Sequence, residues 1–442
     1  MSSLVPRPVA LLWHAVTGLL LLLASNSSPA QVPASPHSQL PLSDTPSILI
    51  TLDQAIELAK RNNPALQANR TLIYQNKEQE VTANLRPNPV LSWDAQYLPI
   101  FSPDQWSSNY VDTTAQFDIG VGYLFERGHK RQHRLQAAQN TTAVTEAQVQ
   151  DAERTAIGGV AQQFVAALLA KANLDLASQL LSSYQHTVSI SQEQHKAGSL
   201  SKVDLLKIQL QTLQFQTDVS TARIAKVQAL ATLRQAIGYD SVPRDYDVAG
   251  NLSYVPMSLK LEDLQALALR ERPDLFAARR SVALAESQID LAKANSKQDL
   301  NATFDYTHLN GSNLGAFYFN IPLPIFNRNQ GEVARTYYVL TQSQYLAKAA
   351  EQQVLTEVKN AYEAFLVSAD IVQLYDQGYL QQAQQSLEIT QFSYQRGAAS
   401  LLDFLDAERS YRSTELSYRQ ALAAYMNSLE QLRLAVGTRD LP

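Results

Sequence analysis

Two hydrophobic periodicities alternate along this chain. From residue 129 to about 196 there is no proline, and Val160, Ala167, Leu174, Leu181 and Val188 fall seven apart, the seam of a coiled-coil packing. At 1.5 Å per residue such a helix runs roughly 100 Å. A counterpart spans residues 331–396, with Val358, Phe365, Val372 and Tyr379 on the same spacing. Each long helix ends at a glycine, Gly198 or Gly397, after which a helix of roughly 35 to 40 residues returns antiparallel. Helices over 64–86 and 273–296 stack on these returns, so that together they match the long helix in length.

Period two takes over between the helices. Leu91, Trp93, Ala95 and Tyr97 alternate with Ser92, Asp94 and Gln96. The odd positions from Val111 to Phe125 are apolar or small, with Asp112, Thr114, Gln116 and Asp118 between the first of them. Phe304 and Tyr306 alternate with Thr303, Asp305 and Thr307, and Phe317, Phe319, Ile321 and Leu323 follow. This predicts four strands, each with one apolar and one polar face. A soluble sheet with one wet face has the same pattern. Aromatic-rich apolar faces on a secreted chain favour a membrane barrel with lipid outside and a wet lumen. Four strands cannot close one. Closed membrane barrels need about eight, so several chains must contribute, and a trimer would supply twelve.

The chain also repeats itself. Ala197-Gly198 before Asp204-Leu205-Leu206 matches Arg396-Gly397 before Asp403-Phe404-Leu405, and Arg234-Gln235-Ala236-Ile237-Gly238 matches Arg433-Leu434-Ala435-Val436-Gly437. Gly397 and Gly198 are 199 residues apart, as are Gly437 and Gly238. Each half opens with a short helix that stops before Pro64 or Pro273 and restarts. The expected organisation is a signal peptide over 1–30, a flexible segment over 31–50, a first repeat over 51–250 and a second over 251–442.

Composition narrows the function classes. The net charge of -5 leaves no basic footprint for nucleic acid. Arg7, the apolar run 9–24 and the small residues ending at Ala30 have the layout of a secretory signal. No later segment is read as an apolar helical span of the membrane. The absence of cysteine excludes disulfides, thiolate chemistry and a lipidated N-terminal cysteine. No phosphate loop, nucleophile-base-acid set or metal-ligand cluster appears, so neither enzyme activity nor a cofactor is expected.

With these halves in place, the chain resembles the TolC-like outer-membrane efflux factor family. The match rests on Tyr394-Gln395-Arg396-Gly397-Ala398-Ala399-Ser400-Leu401-Leu402-Asp403-Phe404-Leu405-Asp406-Ala407 and on Ile321-Pro322-Leu323-Pro324-Ile325-Phe326-Asn327-Arg328-Asn329-Gln330-Gly331. The second segment is most similar to the branch that exports cobalt, zinc, cadmium or copper. The resemblance implies a mixed membrane α/β fold: a homotrimer with a twelve-stranded β-barrel, four strands per chain, in outer-membrane lipid, continuous with a long α-helical barrel in the periplasm. A periplasmic adaptor and an inner-membrane pump would dock below, and this subunit would be the passive exit duct for divalent metal cations. Ducts for drugs or secreted proteins share the architecture. A structural coiled-coil surface protein is the alternative of another class.

Asp403 and Asp406 lie i, i+3 on one helix face just past the Gly397 turn. They match the family's acidic constriction, which implies a ring of six carboxylates acting as a cation gate. A helix start that favours acids explains either residue alone. The first half has Asp204 and Lys207 there, so the pair is broken. The resemblance also implies that Tyr394 bonds Asp204 to hold the tip shut, while Ala399 stands where the family's second lock uses arginine. Asp94, Asp112, Asp118 and Asp305 are expected on the polar strand faces, lining the barrel lumen. His129 and His133 have a metal-capable i, i+4 spacing, but no third ligand is evident. The surrounding Arg127, Lys130, Arg131 and Arg134 favour a solvated basic rim instead.

Overall fold

A computed structural model describes residues 48–441. The readings for residues 1–30, and all but the end of 31–50, lie outside them. The first half opens with β1 (Leu49–Ile50), α1 (Leu52–Asn62) and α2 (Pro64–Asn84), then β2 (Val90–Gln96), α3 (Ser108–Thr113) and β3 (Gln116–Phe125). It closes with the unbroken α4 (Lys130–Lys196), α5 (Lys202–Ile237) and β4 (Asp247–Val248). The second half runs α6 (Leu261–Glu271), α7 (Pro273–Asn295), β5 (Leu300–Leu309), β6 (Ser312–Asn320), α8 (Gln330–Leu374), α9 (Leu380–Gln395) and α10 (Leu401–Val436).

The two halves solve the same local problem in the same way. Proline stops α1 and α6 and then opens the next helix, where its missing N–H costs nothing. The residue before each proline ties that corner to the return helix: Asn63 Nδ2 donates to the carbonyl of Ala236 at 2.8 Å, and Arg272 Nη1 to that of Ala435 at 3.1 Å. Ala236 and Ala435 are themselves 199 residues apart. Around these corners sit two matching cores. One joins Ile56, Val160, Phe164, Leu233 and Ile237, and the other Leu264, Leu275, Val358, Phe365 and Leu432.

Helices form an array whose members neighbour one another in the order α2, α4, α7, α8 near the sheet and α5, α4, α10, α9 further away. At 100° per residue, α5 buries Ile208, Phe215 and Leu233 on one face and exposes Val203, Leu206, Leu210, Leu213, Ile224 and Val227 on the opposite face. The exposed set keeps a strict seam spacing, which an ordinary surface helix would fill with polar residues.

The strands pair in the order β2-β3-β5-β6, all antiparallel, with Asn310 and Gly311 turning the last hairpin at positive φ. Register places Trp93 beside Ile119, Ile119 beside Tyr306, and Phe304 beside Phe317. All of these are exposed, Trp93 at 70% and Phe317 at 72%. A four-stranded sheet thus presents one continuous apolar face and two unpaired edges, an arrangement that water does not favour.

Three expectations are corrected. The strand expected from residue 111 begins at Gln116, because the Ser107 hydroxyl accepts the Tyr110 N–H at 3.1 Å and starts α3 instead. The second long helix breaks at Tyr375–Tyr379, so Val358, Phe365 and Val372 are buried on the predicted seam while Tyr379 is 61% exposed. One stretch of α4 is also long and apolar enough, by length and composition, for a membrane span. Its Val160, Phe164 and Leu168 are buried in the array, which accounts for the composition.

Candidate functional site

At the end of the array away from the sheet, both hairpins begin their return helix with the same cap. Ser201 Oγ accepts the Asp204 N–H at 3.1 Å, and Ser400 Oγ accepts the Asp403 N–H at 3.2 Å. Asp403 Oδ2 in turn accepts the Ser400 N–H at 3.0 Å and hydroxyl at 2.7 Å, closing a capping box. The Ser400 hydroxyl and N–H hold the Asp403 carboxyl below the usual carboxylate range, so its charge persists further into acid. Asp406, one turn on, lies 3.6 Å from Arg409, both well exposed. Asp403 therefore starts its helix and carries a persistent negative charge, and the two roles do not conflict.

Tyr394 and Asp204 line one cleft of about 630 Å³ between the hairpin turns, with Leu200, Lys207, Leu401 and Leu405. The expected bond between them is not made within the chain. Asp204 is engaged by the Ser201 hydroxyl at 2.7 Å and Lys207 at 3.5 Å. The Tyr394 ring stacks on Phe404 at 5.3 Å, and its buried hydroxyl faces Ser191 without a well-formed hydrogen bond. Burial pushes that hydroxyl's pKa up.

Behind Tyr394 lies a group not singled out from sequence. Tyr184 Oη, Ser191 Oγ and Glu408 Oε1 are buried and unpartnered, and Glu408 is 5% exposed. Burial raises the Glu408 carboxyl, partly offset by Arg412 and Arg409. Glu408 stands four residues after Phe404, which puts it on the buried face of α10. That spacing was the available signal.

On the sheet, Asp94 pairs directly with Asp118 and Gly120 with Asp305, so three of the four expected acids share the polar face. Gln116 Nε2 donates to Asp118 Oδ2 at 2.7 Å. Glycine at 120 leaves room for the neighbouring carboxylate, since a Cβ there would lie 1.7 Å from Asp305 Oδ1. Like charges directly opposite on paired strands are destabilising. Asp112 is the exception. It sits in α3, 3.6 Å from His308.

The basic run is less solvated than expected: Lys130 is buried and bonds Asp299 at 2.7 Å, and Arg134 pairs with Glu126. These pairs pin the start of α4 to the strand ends. His129 takes a left-handed cap conformation, and no group of three metal-ligating side chains occurs among the described residues.

Comparison with known proteins agrees with this geometry. The outer membrane efflux protein family is matched over residues 55–239 and again over 264–438, one match in each half. The cobalt-zinc-cadmium resistance protein CzcC of Cupriavidus metallidurans is 25% identical over 374 residues, 84% of this chain and 85% of CzcC. The cation efflux system protein CusC of Escherichia coli is 26% identical over 328 residues, 70% of this chain and 71% of CusC. Among solved structures, CusC superposes with a TM-score of 0.71 at 22% identity, covering 88% of this chain and 92% of that one. The open-state MtrE outer membrane channel of Neisseria gonorrhoeae superposes at 0.72 with 20% identity, covering 88% and 89%. The chain belongs to the outer membrane efflux protein family, a passive channel of the outer membrane and not an enzyme.

Proposed function

We propose that three copies of this chain close into one exit duct, a twelve-stranded barrel in outer-membrane lipid continuous with an α-helical tunnel. The observation that carries this reading is the pair of unpartnered edges. The sheet ends in β2 and β6, while the array ends in the apolar seam of α5 on one side and in α9, with exposed Ile389 and Phe392, on the other. Two different edges on one subunit make a heterologous contact, and such contacts generate a ring when the rotation between copies closes. Three copies of a four-stranded sheet make twelve strands, and three is the number that the family resemblance implies.

The duct passes cargo from an inner-membrane pump and a periplasmic adaptor to the outside. Divalent metal cations are the favoured cargo. CzcC and CusC are named for metal or cation systems, and Asp403, Asp406, Asp94, Asp118 and Asp305 supply negative charge at the tip and along the barrel wall. Growth of a deletion strain across zinc, cobalt, cadmium, copper and a drug panel tests the cargo. Increased metal sensitivity is expected; unchanged metal tolerance with raised drug sensitivity would reverse the assignment.

Asp403 and Asp406 form the constriction ring and set its cation preference. In planar bilayers the double exchange Asp403→Ala with Asp406→Ala is expected to lower the cation-over-anion permeability ratio on the order of tenfold, and to relieve block by multivalent cations. Unchanged selectivity and block would place the ring elsewhere.

A further inference from the structure

The β2–β3 loop is drawn to one side of the sheet, at the end away from the helices. Alternation along β5 puts Thr303, Asp305 and Thr307 on the polar face and Phe304, Tyr306 and His308 on the apolar one, with Phe117 and Asn313 beside His308 in register. His308 therefore belongs to the face that meets lipid. The Asn313 side-chain oxygen accepts the Tyr306 hydroxyl at 2.7 Å and holds His308 Nδ1 at 2.9 Å, which turns Nε2 toward Asp112 of α3. Asp112 also lies beside the Gly311 turn. The acid that departs from the polar strand face thus brings α3 to the lipid side of the rim.

This placement leaves a cleft of about 670 Å³ between loop and sheet, lined by Trp106, Ser107, Ser108, Val111, Asp112 and His308. Its chemistry is that of a sugar site. Trp106 offers an indole face, whose negative charge attracts the C–H edge of a sugar ring. Asp112 Oδ1 and His308 Nε2 are 3.6 Å apart, too far to bond each other, so both keep capacity for ligand hydroxyls, as do the two serines. A phosphate finds little here: residues 87–126 and 298–327, which hold all four strands, contain no lysine or arginine. Below the cleft, the same face carries exposed Tyr306, Phe304 and Phe317. Phe304 is four residues from His308, roughly 13 Å at 3.3 Å per residue, a distance that acyl chains hanging from a sugar span. The loop itself exposes Ile100, Trp106 and Phe101, the last at 99%, where a loop facing only water would carry polar residues.

We infer that the β2–β3 loop clamps an acylated sugar of the outer leaflet against the outer wall of the barrel, its ring on Trp106 and its chains on Phe304 and Phe317. This inference rests on the exit-duct reading above. The clamp gives each copy a lipid contact with geometry, beyond the general preference of an apolar face for hydrocarbon. It also directs the loop outward, away from the pore mouth.

The extracted trimer in phosphatidylcholine nanodiscs tests this by native mass spectrometry with added lipid A, an acylated glucosamine disaccharide. Lipid A is expected to stay on the trimer, and to stay equally after its phosphates are removed, while phosphatidylglycerol does not displace it. Trp106→Ala should weaken retention about tenfold. If that variant does not assemble, Trp106→Leu, which keeps apolar volume without the indole face, is expected to give the same loss. Phe101→Cys reports the direction of the loop, since the chain has no other cysteine. Oxidation should leave the copies unlinked; disulfide-linked copies would show a cap over the pore and overturn the outward clamp. Retention unchanged in the Trp106 variant that assembles, or lost with the phosphates, overturns the sugar site. Heat-modifiable trimer formation is checked for every variant, so lost retention on an intact trimer concerns the clamp alone. A wild type that forms no trimer would instead overturn the duct reading.

Discussion

Exchanging Arg272 for alanine is expected to destabilise the protein by about 3 kcal/mol, the lower end of what breaking a buried ion pair costs. Arg272 is 2% exposed and makes four contacts at one corner. Its Nε and Nη2 donate to Asp274 at 2.9 and 2.5 Å, and its Nη1 donates to Glu357 at 2.6 Å and to the Ala435 carbonyl at 3.1 Å. It thereby joins the α6–α7 corner to α8 and to the last turn of α10. The effect stays at the lower end because Asp274 and Glu357 reach solvent at their edges and can be hydrated once the guanidinium is gone. The first-half counterpart, Asn63→Ala, removes a helix cap and one tie, and should cost about 1 kcal/mol. Thermal unfolding of the extracted protein, followed by far-ultraviolet circular dichroism, ranks the two. Burial alone would raise Asp274, but the bonded Arg272 more than offsets it and holds the carboxyl below its ordinary value. A depressed carboxylate contributes its stability above the unfolded-state value and loses it as pH falls through the folded-state value. The gap between wild type and Arg272→Ala should therefore persist at neutral pH and narrow below about pH 4. Equal melting of the two proteins at pH 7 would show that the corner carries no such stability.

Arg272 also marks a boundary of what the sequence shows. An arginine before a proline carries no sign that it will be fully buried, since its partners Glu357 and Ala435 are distant in the chain and brought together only by the fold. Periodicity was readable wherever a single neighbour decides the pattern. Val160 and Ala167 on α4, and Val358 and Phe365 on α8, are buried on their predicted seam, and the alternation sorts the faces of β2, β5 and β6, although Tyr97, Ile321 and Leu323, read as strand positions, fall beyond the strand ends. It failed where a local signal overrides it. Ser107 starts a helix within an apparent strand, and Gly378 shifts the seam before Tyr379. At the tip, the acid-favouring helix start at Asp403 was legible in the sequence, and the structure adds its Ser400 cap three residues before. The Tyr394–Asp204 bond came only from resemblance, and in this chain Ser201 and Lys207 compete for the carboxylate.

The outer seam of α5 makes a prediction that depends on assembly alone. Leu206→Glu with Leu210→Glu places two charges on a face left largely open in the single chain, where Leu206 is 49% and Leu210 70% exposed. If the chain acted alone, these changes would be near neutral or would improve solubility. In a closed ring the same face is an interface. Burying each leucine is worth roughly 1.5–3 kcal/mol, so each contact loses about 3–6 kcal/mol and is further weakened by desolvating two carboxylates. The loss recurs at every contact around the ring, so the trimer should be absent rather than weakened. Gln216→Glu adds charge to a polar flank of the same helix and should leave assembly unchanged. Electrophoresis of unheated samples together with light scattering in detergent distinguishes the states. The double variant is expected to run as a helical monomer without channel activity, and the control as a heat-modifiable trimer. A double variant that still assembles would show that α5 faces water in the duct, leaving its heptad of exposed leucines, isoleucine and valines without a partner. A helix that is apolar on two opposite faces and polar between them is what a wall with neighbours on both sides and water within and without requires. That pattern along α5 is what the proposed three-copy duct predicts for the wall of one subunit.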